Sequence, residues 1–173
     1  MKTNINDATT QSSREIVVGL DDGPAAAAAL RWAAEQAKIT GRPLRVVHAW
    51  QLSSFEQATG SARYVEAAVT DARARATSWV VDALGPDASE VRWSLDIVEG
   101  GPGPALVERS RHAHLLALGT HEHTGLRRIL GSVSHYCLSH AVAPVVAVPP
   151  PRREGPRNQH AASDMLAVPG PLL

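Results

Sequence analysis

The chain has 173 residues, 44% of them hydrophobic and 20% charged, a balance that suits one globular domain with its own core and excludes a wholly disordered chain. Its 17 basic and 17 acidic residues cancel, so no long-range field draws it onto nucleic acid or an anionic membrane surface. The single cysteine, Cys137, cannot form an internal disulfide, and no stretch approaches the roughly 18 uninterrupted apolar residues of a membrane span, so a soluble, cytoplasmic protein is expected.

Residues 1–13 are small and polar, lack the apolar run of a signal peptide, and have nothing to bury, so they read as a disordered tail. The segment EIVVGL (Glu15–Leu20) is a short β-branched run ending at Asp21-Asp22-Gly23, a buried strand entering a turn. Pro24 suits the first turn of a helix, AAAAALRWAAEQAK continues it with strong helix formers, and Gly41-Arg42-Pro43 stops it. LRVVHAW (Leu44–Trp50) is a second strand. A polar loop leads to a long helix, SARYVEAAVTDARARATSWVVDALG, in which Tyr64, Ala68, Ala72, Trp79 and Leu84 recur at roughly helical spacing before Gly85-Pro86. EVRWSLDIV (Glu90–Val98) alternates as a strand with one wetter face should. ALVERSRHA is a helix, HLLALGT (His114–Thr120) a strand, SVSHYCLSHA a short helix and PVVAVP (Pro144–Pro149) a last strand. Residues 150–173 are proline-rich and read as a flexible tail, which leaves one domain over residues 14–149.

Five strands separated by helices require crossover connections and hence parallel pairing. The two most apolar strands, IVVGL and LLALG, belong side by side at the centre and EVRWSLDIV at an edge. The fold is therefore α/β: a single five-stranded parallel sheet of order 3-2-1-4-5 with helices on both faces, doubly wound and Rossmann-like. Ligands of such sheets bind where strand order reverses, beyond the carboxyl ends of the strands, here Asp21 and Gly119. After the fourth strand, GTHEHTGLRRILGSVSHYC carries Gly119, Gly125 and Gly131 and runs into a helix near Ser132. Glycines allow close approach of backbone amides to a phosphate, and a helix N-terminus supplies unpaired donors and a favourable dipole. Ser132 reads either as an N-cap or as one more phosphate ligand.

These segments together, REIVVGLDDGPAAAAALRWAAEQA, PLRVVHAW and HLLALGTHEHTGLRRILGSVSHYCLSHAVAPVVAVP, resemble the universal stress proteins over nearly the whole domain. In that family's nucleotide-binding branch a glycine, two residues, a glycine, nine residues, then glycine with Ser or Thr hold ATP phosphates. The resemblance implies a nucleotide site of Gly19, Asp21, Ala49, Gly119, Thr120, Gly125, Gly131, Ser132 and Val133, with Asp21 on the nucleoside and the Ala49 backbone beside the base. It implies ATP, with Mg²⁺, in a regulatory role with at most slow hydrolysis, and a homodimer joined through Val145, Val146 and Val148 of the last strand. Two departures stand out. Glu122 occupies the second glycine position, and the run from there to Gly131 is one residue short. A carboxylate opposes phosphate by Coulomb repulsion, which His123, Arg127 and Arg128 offset in part. The alternative function is a nucleotide-free relative acting as a dimeric, partner-binding stress-response protein.

Other chemistries are weaker. His121 and His123 offer two ligands where zinc takes three or four, so no metal site is expected. Ser132, His135 and Asp21 lack a GxSxG elbow, so no catalytic residues are assigned. Cys137 reads as a small buried hydrophobe, the four tryptophans as core or sheet-covering residues, and Asp71, Arg73 and Arg75 as a solvated helix face.

Overall fold

A computed structural model describes residues 14–51, 62–120 and 131–151. The order is β1 (Ile16–Gly19), α1 (Pro24–Thr40), β2 (Leu44–Trp50), α2 (Ala62–Leu84), a 3₁₀ turn (Gly85–Ser89), β3 (Trp93–Glu99), α3 (Pro102–Arg109), β4 (Leu115–Gly119), α4 (Ser132–His140) and β5 (Val145–Val148). All strand pairs are parallel, in the order β3-β2-β1-β4-β5, with Val18 opposite Val46 on one side and Ala117 on the other. That is the order expected from the sequence.

Alternation of side chains sorts the core onto two faces. Ile16, Val18, Leu44, Val46 and Ala117 point to one face, under α1 and the Ala76, Val80 and Leu84 stripe of α2. Val17, Val47, Leu116 and Leu118 point to the other, where Leu106 of α3 and Cys137 of α4 meet them. The central strands are covered on both sides, which is why IVVG and LLALG are nearly free of polar residues.

Helix α1 begins with Pro24 and ends at Gly41, whose φ of 67° is a left-handed cap that glycine adopts without strain. Its buried stripe is Ala25, Ala26, Ala29, Leu30, Ala33, Ala34 and Ala37. Six of these seven side chains are single methyls, so α1 lies close on the sheet. The consequence falls on Gly119 at the end of β4. A Cβ there would stand 2.4 Å from the Ala25 carbonyl carbon and 2.6 Å from the Ala26 nitrogen.

The outer edge is polar. Arg45 on β2 bonds the carboxylates of Glu15 at 2.9 Å and of Asp96 on β3 at 3.2 Å. Two expectations need correction. Tyr64 is 45% exposed and does not belong to the buried stripe of α2, which starts lower, at Ala72. β3 starts at Trp93 rather than Glu90, because Glu90 turns to pair with Lys38 of α1. The tryptophans agree with the sheet-covering expectation: all four are half-buried, and Trp32, Trp79 and Trp93 pack against the core.

Candidate functional site

A cleft of about 230 Å³ opens above the carboxyl ends of β1, β2 and β4. Seven of the nine site residues expected from the sequence line it: Gly19, Asp21, Ala49, Gly119, Gly131, Ser132 and Val133. Thr120 does not. Its amide and hydroxyl both bond the Val148 carbonyl, at 2.9 and 3.3 Å, which ties it to the end of β5. Gly125 lies outside the described residues, as do His121, Glu122, His123, Arg127, Arg128, the expected tail at 1–13, residues 152–173 of the other tail and residues 52–61 of the loop before α2.

The walls divide by chemistry. Leu20, Val47, Leu106, Leu118, Val133 and Pro102 give an apolar slot suited to a flat ring. Asp21 is the single charged lining residue among those described; its Oδ1 accepts the Gly23 amide at 2.8 Å, an Asx turn that carries the chain into α1. The Leu20 amide donates to the Val47 carbonyl at 2.9 Å, so the peptide ahead of Asp21 is fixed to β2. At the far side α4 starts at Ser132. Its N-cap is Gly131, in extended backbone, with no side-chain cap bond. Of the two readings of Ser132, the cap is therefore excluded: Ser132 is the first helical residue, and its exposed hydroxyl is not a cap. The first amides of α4 have no intrahelical acceptor, and they carry the positive end of the helix dipole to the cleft rim.

Ser134 is the residue sequence reading missed here. It is buried, and its hydroxyl donates to the Gly119 carbonyl at 3.2 Å, fastening the first turn of α4 to the end of β4. Gly119 itself has a second reason beside the expected one: the backbone of α1 fills the space its side chain would need. Gly19 is milder, because a Cβ would meet Leu106 and Leu118 methyls at 3.1 Å.

The backbone of β2 adds a hydrogen-bonding edge. Pro43 and Val47 direct their carbonyls to β1, receiving the Ile16 and Leu20 amides, whereas Trp50 bonds toward the β3 side, receiving Gly100. Odd-numbered residues of β2 therefore face β1. Ala49 is the next odd residue, and β1 has ended at Gly19, so its N–H and C=O face the cleft.

Elsewhere among the described residues, no group of three or more His, Cys, Asp or Glu converges as a metal site, and no helix is long and apolar enough to cross a membrane. Cys137 is fully buried, and burial pushes its thiol up to about 11, so it is a poor nucleophile at neutral pH.

Comparison with known proteins agrees with this architecture. The model of the universal stress protein family matches residues 12–149. A universal stress protein of Mycobacterium tuberculosis is 36% identical over 152 residues, which cover 79% of this chain and 48% of that one. The chain thus spans about half the length of the curated relatives it matches. Among solved structures, a universal stress protein of Archaeoglobus fulgidus in complex with dAMP superposes with a TM-score of 0.56 at 22% identity, over 78% of this chain and 97% of that one. One from Arabidopsis thaliana with AMP bound gives 0.55 at 18%, over 84% and 97%. The chain belongs to the universal stress protein family.

Proposed function

We propose that this chain is a regulatory adenine-nucleotide-binding protein of the cytoplasm, holding ATP with Mg²⁺ in the cleft between β1 and β4. The observation that carries the reading is the collection of Asp21, Ala49 and the Gly131 helix start around one apolar slot. Adenine presents an acceptor, N1, beside a donor, the 6-amino group, which complements the N–H and C=O that Ala49 offers. Guanine presents a donor beside an acceptor and opposes them. Asp21, a carboxylate at the slot's mouth, accepts hydrogen bonds from ribose hydroxyls. The α4 amides and the Ser132 hydroxyl suit the phosphates, with no lysine or arginine lining the described part of the cleft. Relatives solved with AMP and dAMP support an adenine nucleotide as the ligand class. The protein acts as a switchable binding module, with at most slow ATP hydrolysis.

A second copy of the chain completes the assembly in this reading. β5 is the sheet edge, with half-buried Val145, Val146 and Val148, and an apolar edge strand is a template for another strand. Sedimentation should give a dimer at tens of micromolar that Val146→Asp dissociates.

Mass spectrometry of the native protein and calorimetry with ATP and Mg²⁺ test the nucleotide. Asp21→Ala should weaken ATP by about ten- to a hundredfold, the worth of a hydrogen bond to a charged group. Glu122→Gly should tighten it by removing a carboxylate from the phosphate loop. Wild-type protein with no affinity at millimolar ATP, unrescued by Glu122→Gly, would establish the nucleotide-free, partner-binding alternative.

A further inference from the structure

His48 is on no phosphate loop and at no strand end, yet it bonds where the site is assembled. Its Nδ1 stands 2.9 Å from the Leu20 carbonyl oxygen. A carbonyl can only accept, so Nδ1 carries the proton in this bond. The ring lies edge-on to Trp79 of α2, with centroids 5.3 Å apart at 82°, and is half-buried. This places the imidazole on the α1/α2 face of the sheet, reaching across the end of β1.

The acceptor is the significant part. In a parallel ladder, a residue that donates its amide to residue j−1 of the neighbour receives the amide of residue j+1 on its carbonyl. Leu20 donates to Val47. Continuation of the ladder would therefore bring the Ala49 amide to the Leu20 carbonyl. His48 Nδ1 takes that carbonyl instead. The side chain of one residue substitutes for the backbone of the next, and the β1–β2 ladder stops one bond early.

We infer that His48 is a positioning residue: by donating to the Leu20 carbonyl it holds the Ala49 amide out of the ladder and presents it to the base of the bound nucleotide. The inference rests on the nucleotide reading above for the ligand, and on hydrogen-bond geometry alone for the ladder. The same bond steadies the peptide that leads directly into Asp21. Leu20 is then tied to β2 through both its amide and its carbonyl, so base edge and sugar carboxylate share one anchor. Filling space beside Trp79 would require only a ring, and a phenylalanine would serve as well.

Two variants separate these roles. His48→Phe keeps a ring against Trp79 and deletes the donor; His48→Asn keeps a donor near the Nδ1 position and deletes the ring. Amide hydrogen exchange at Ala49, followed by NMR in the ligand-free protein, reads the ladder. It should slow by about tenfold or more in His48→Phe, as the freed carbonyl captures the amide, and remain near wild type in His48→Asn. Calorimetry with AMP and, separately, inorganic tripolyphosphate reads the site. His48→Phe should lose about tenfold for AMP with tripolyphosphate unchanged, and His48→Asn should recover most of the loss. Unchanged Ala49 exchange in His48→Phe overturns the inference, as does an equal loss for both ligands, or an AMP affinity within about twofold of wild type. Wild-type protein that binds no AMP removes the nucleotide reading and the base-affinity role with it, while the exchange arm, which needs no ligand, still decides the ladder.

Discussion

The two ends of the sheet are finished in opposite ways. At the end where the strands begin, side chains answer the backbone and each other. Lys38 in the last turn of α1 bonds Glu90 at 2.7 Å and Asp87 at 3.0 Å, Arg92 donates to the Gly41 carbonyl, and Arg42 donates to the Arg14 carbonyl. The C-terminus of α1 is closed by the Gly41 amide on the Ala37 carbonyl. At the carboxyl end, α1, α3 and α4 all start from a glycine: Gly23, Gly101 and Gly131. None has a side-chain cap bond, and none carries an acidic residue in its first turn. A Ser, Thr, Asp or Asn cap is worth only a few tenths of a kcal/mol over glycine, and an acidic first turn adds a few tenths more. That stabilisation is left out three times on one rim of one domain. The end that lacks it is the end with the cleft, and an anion supplied from outside would meet the same amides. Charged side-chain pairing is concentrated at one pole of the fold and helix starts without side-chain caps at the other.

The largest test of this division is Gly119→Ala, because Gly119 lines the cleft and also lets α1 pack close beneath it. The added methyl collides with α1 backbone, which cannot rotate away as a side chain would. A stability loss of about 3 kcal/mol or more in urea unfolding is expected, the upper range for overpacking. A small loss would mean that α1 shifts easily and that the close α1–β4 approach does not support the site.

Next comes Gly131→Asp, which installs at α4 the cap that the rim lacks. Gly131 has a φ of −58°, so a side chain is tolerated. Melting should be unchanged or raised slightly, since Asp exceeds Gly as an N-cap by only a few tenths of a kcal/mol. ATP affinity should fall by more than about tenfold, because a carboxylate then competes for the amides and repels the phosphates. Joint loss of stability and affinity would show instead that Gly131 is needed for folding.

At the opposite pole, Gly41→Ala should do the reverse. No atom lies within 4 Å of the new methyl, so the cost is the left-handed φ alone, about 1 kcal/mol, and ATP affinity should not change. Any change in affinity would show that the two poles communicate through α1.

Sequence reading reaches much further into the fold than into the site, and the reasons are physical. β2 is recovered as Leu44–Trp50 because a buried parallel strand must be apolar and β-branched, and Gly41-Arg42-Pro43 can only be a break. The sheet order follows from which strands tolerate water. Within the site, Asp21, Ala49, Gly131 and Ser132 are legible through a family pattern, but their causes are not. Gly119 reads as a phosphate glycine, whereas its nearest constraint is a helix distant in sequence. His48 on Leu20 and Ser134 on the Gly119 carbonyl depend on which strand ends become neighbours, and local spacing carries no trace of them. Glu90 reads as the start of a strand because its partner, Lys38, lies on another element.

The smallest expected effect is at Lys38, which pairs with two carboxylates at the pole where the strands begin. The Glu90 and then the Asp87 hydrogen bonds hold the Lys38 ammonium above its usual value of 10.5. A raised folded value means that the native state binds this proton more tightly than the unfolded chain does. Its contribution is therefore complete below the unfolded value and is lost as pH rises through 10.5 and past the folded value. The Glu90 and Asp87 side chains are more than half exposed, so water and salt screen both contacts. Lys38→Met should accordingly lower the melting temperature by only about a degree or two at neutral pH and low ionic strength. The difference from wild type should shrink in 0.5 M NaCl, where the screening length falls to about 4–5 Å, and should vanish as pH rises past the folded value. Nucleotide affinity should not move. A Lys38→Met deficit that persists at high salt and alkaline pH would locate the lysine's contribution in its methylene stem rather than its ammonium, and this pole would then be held by packing and caps rather than by charge.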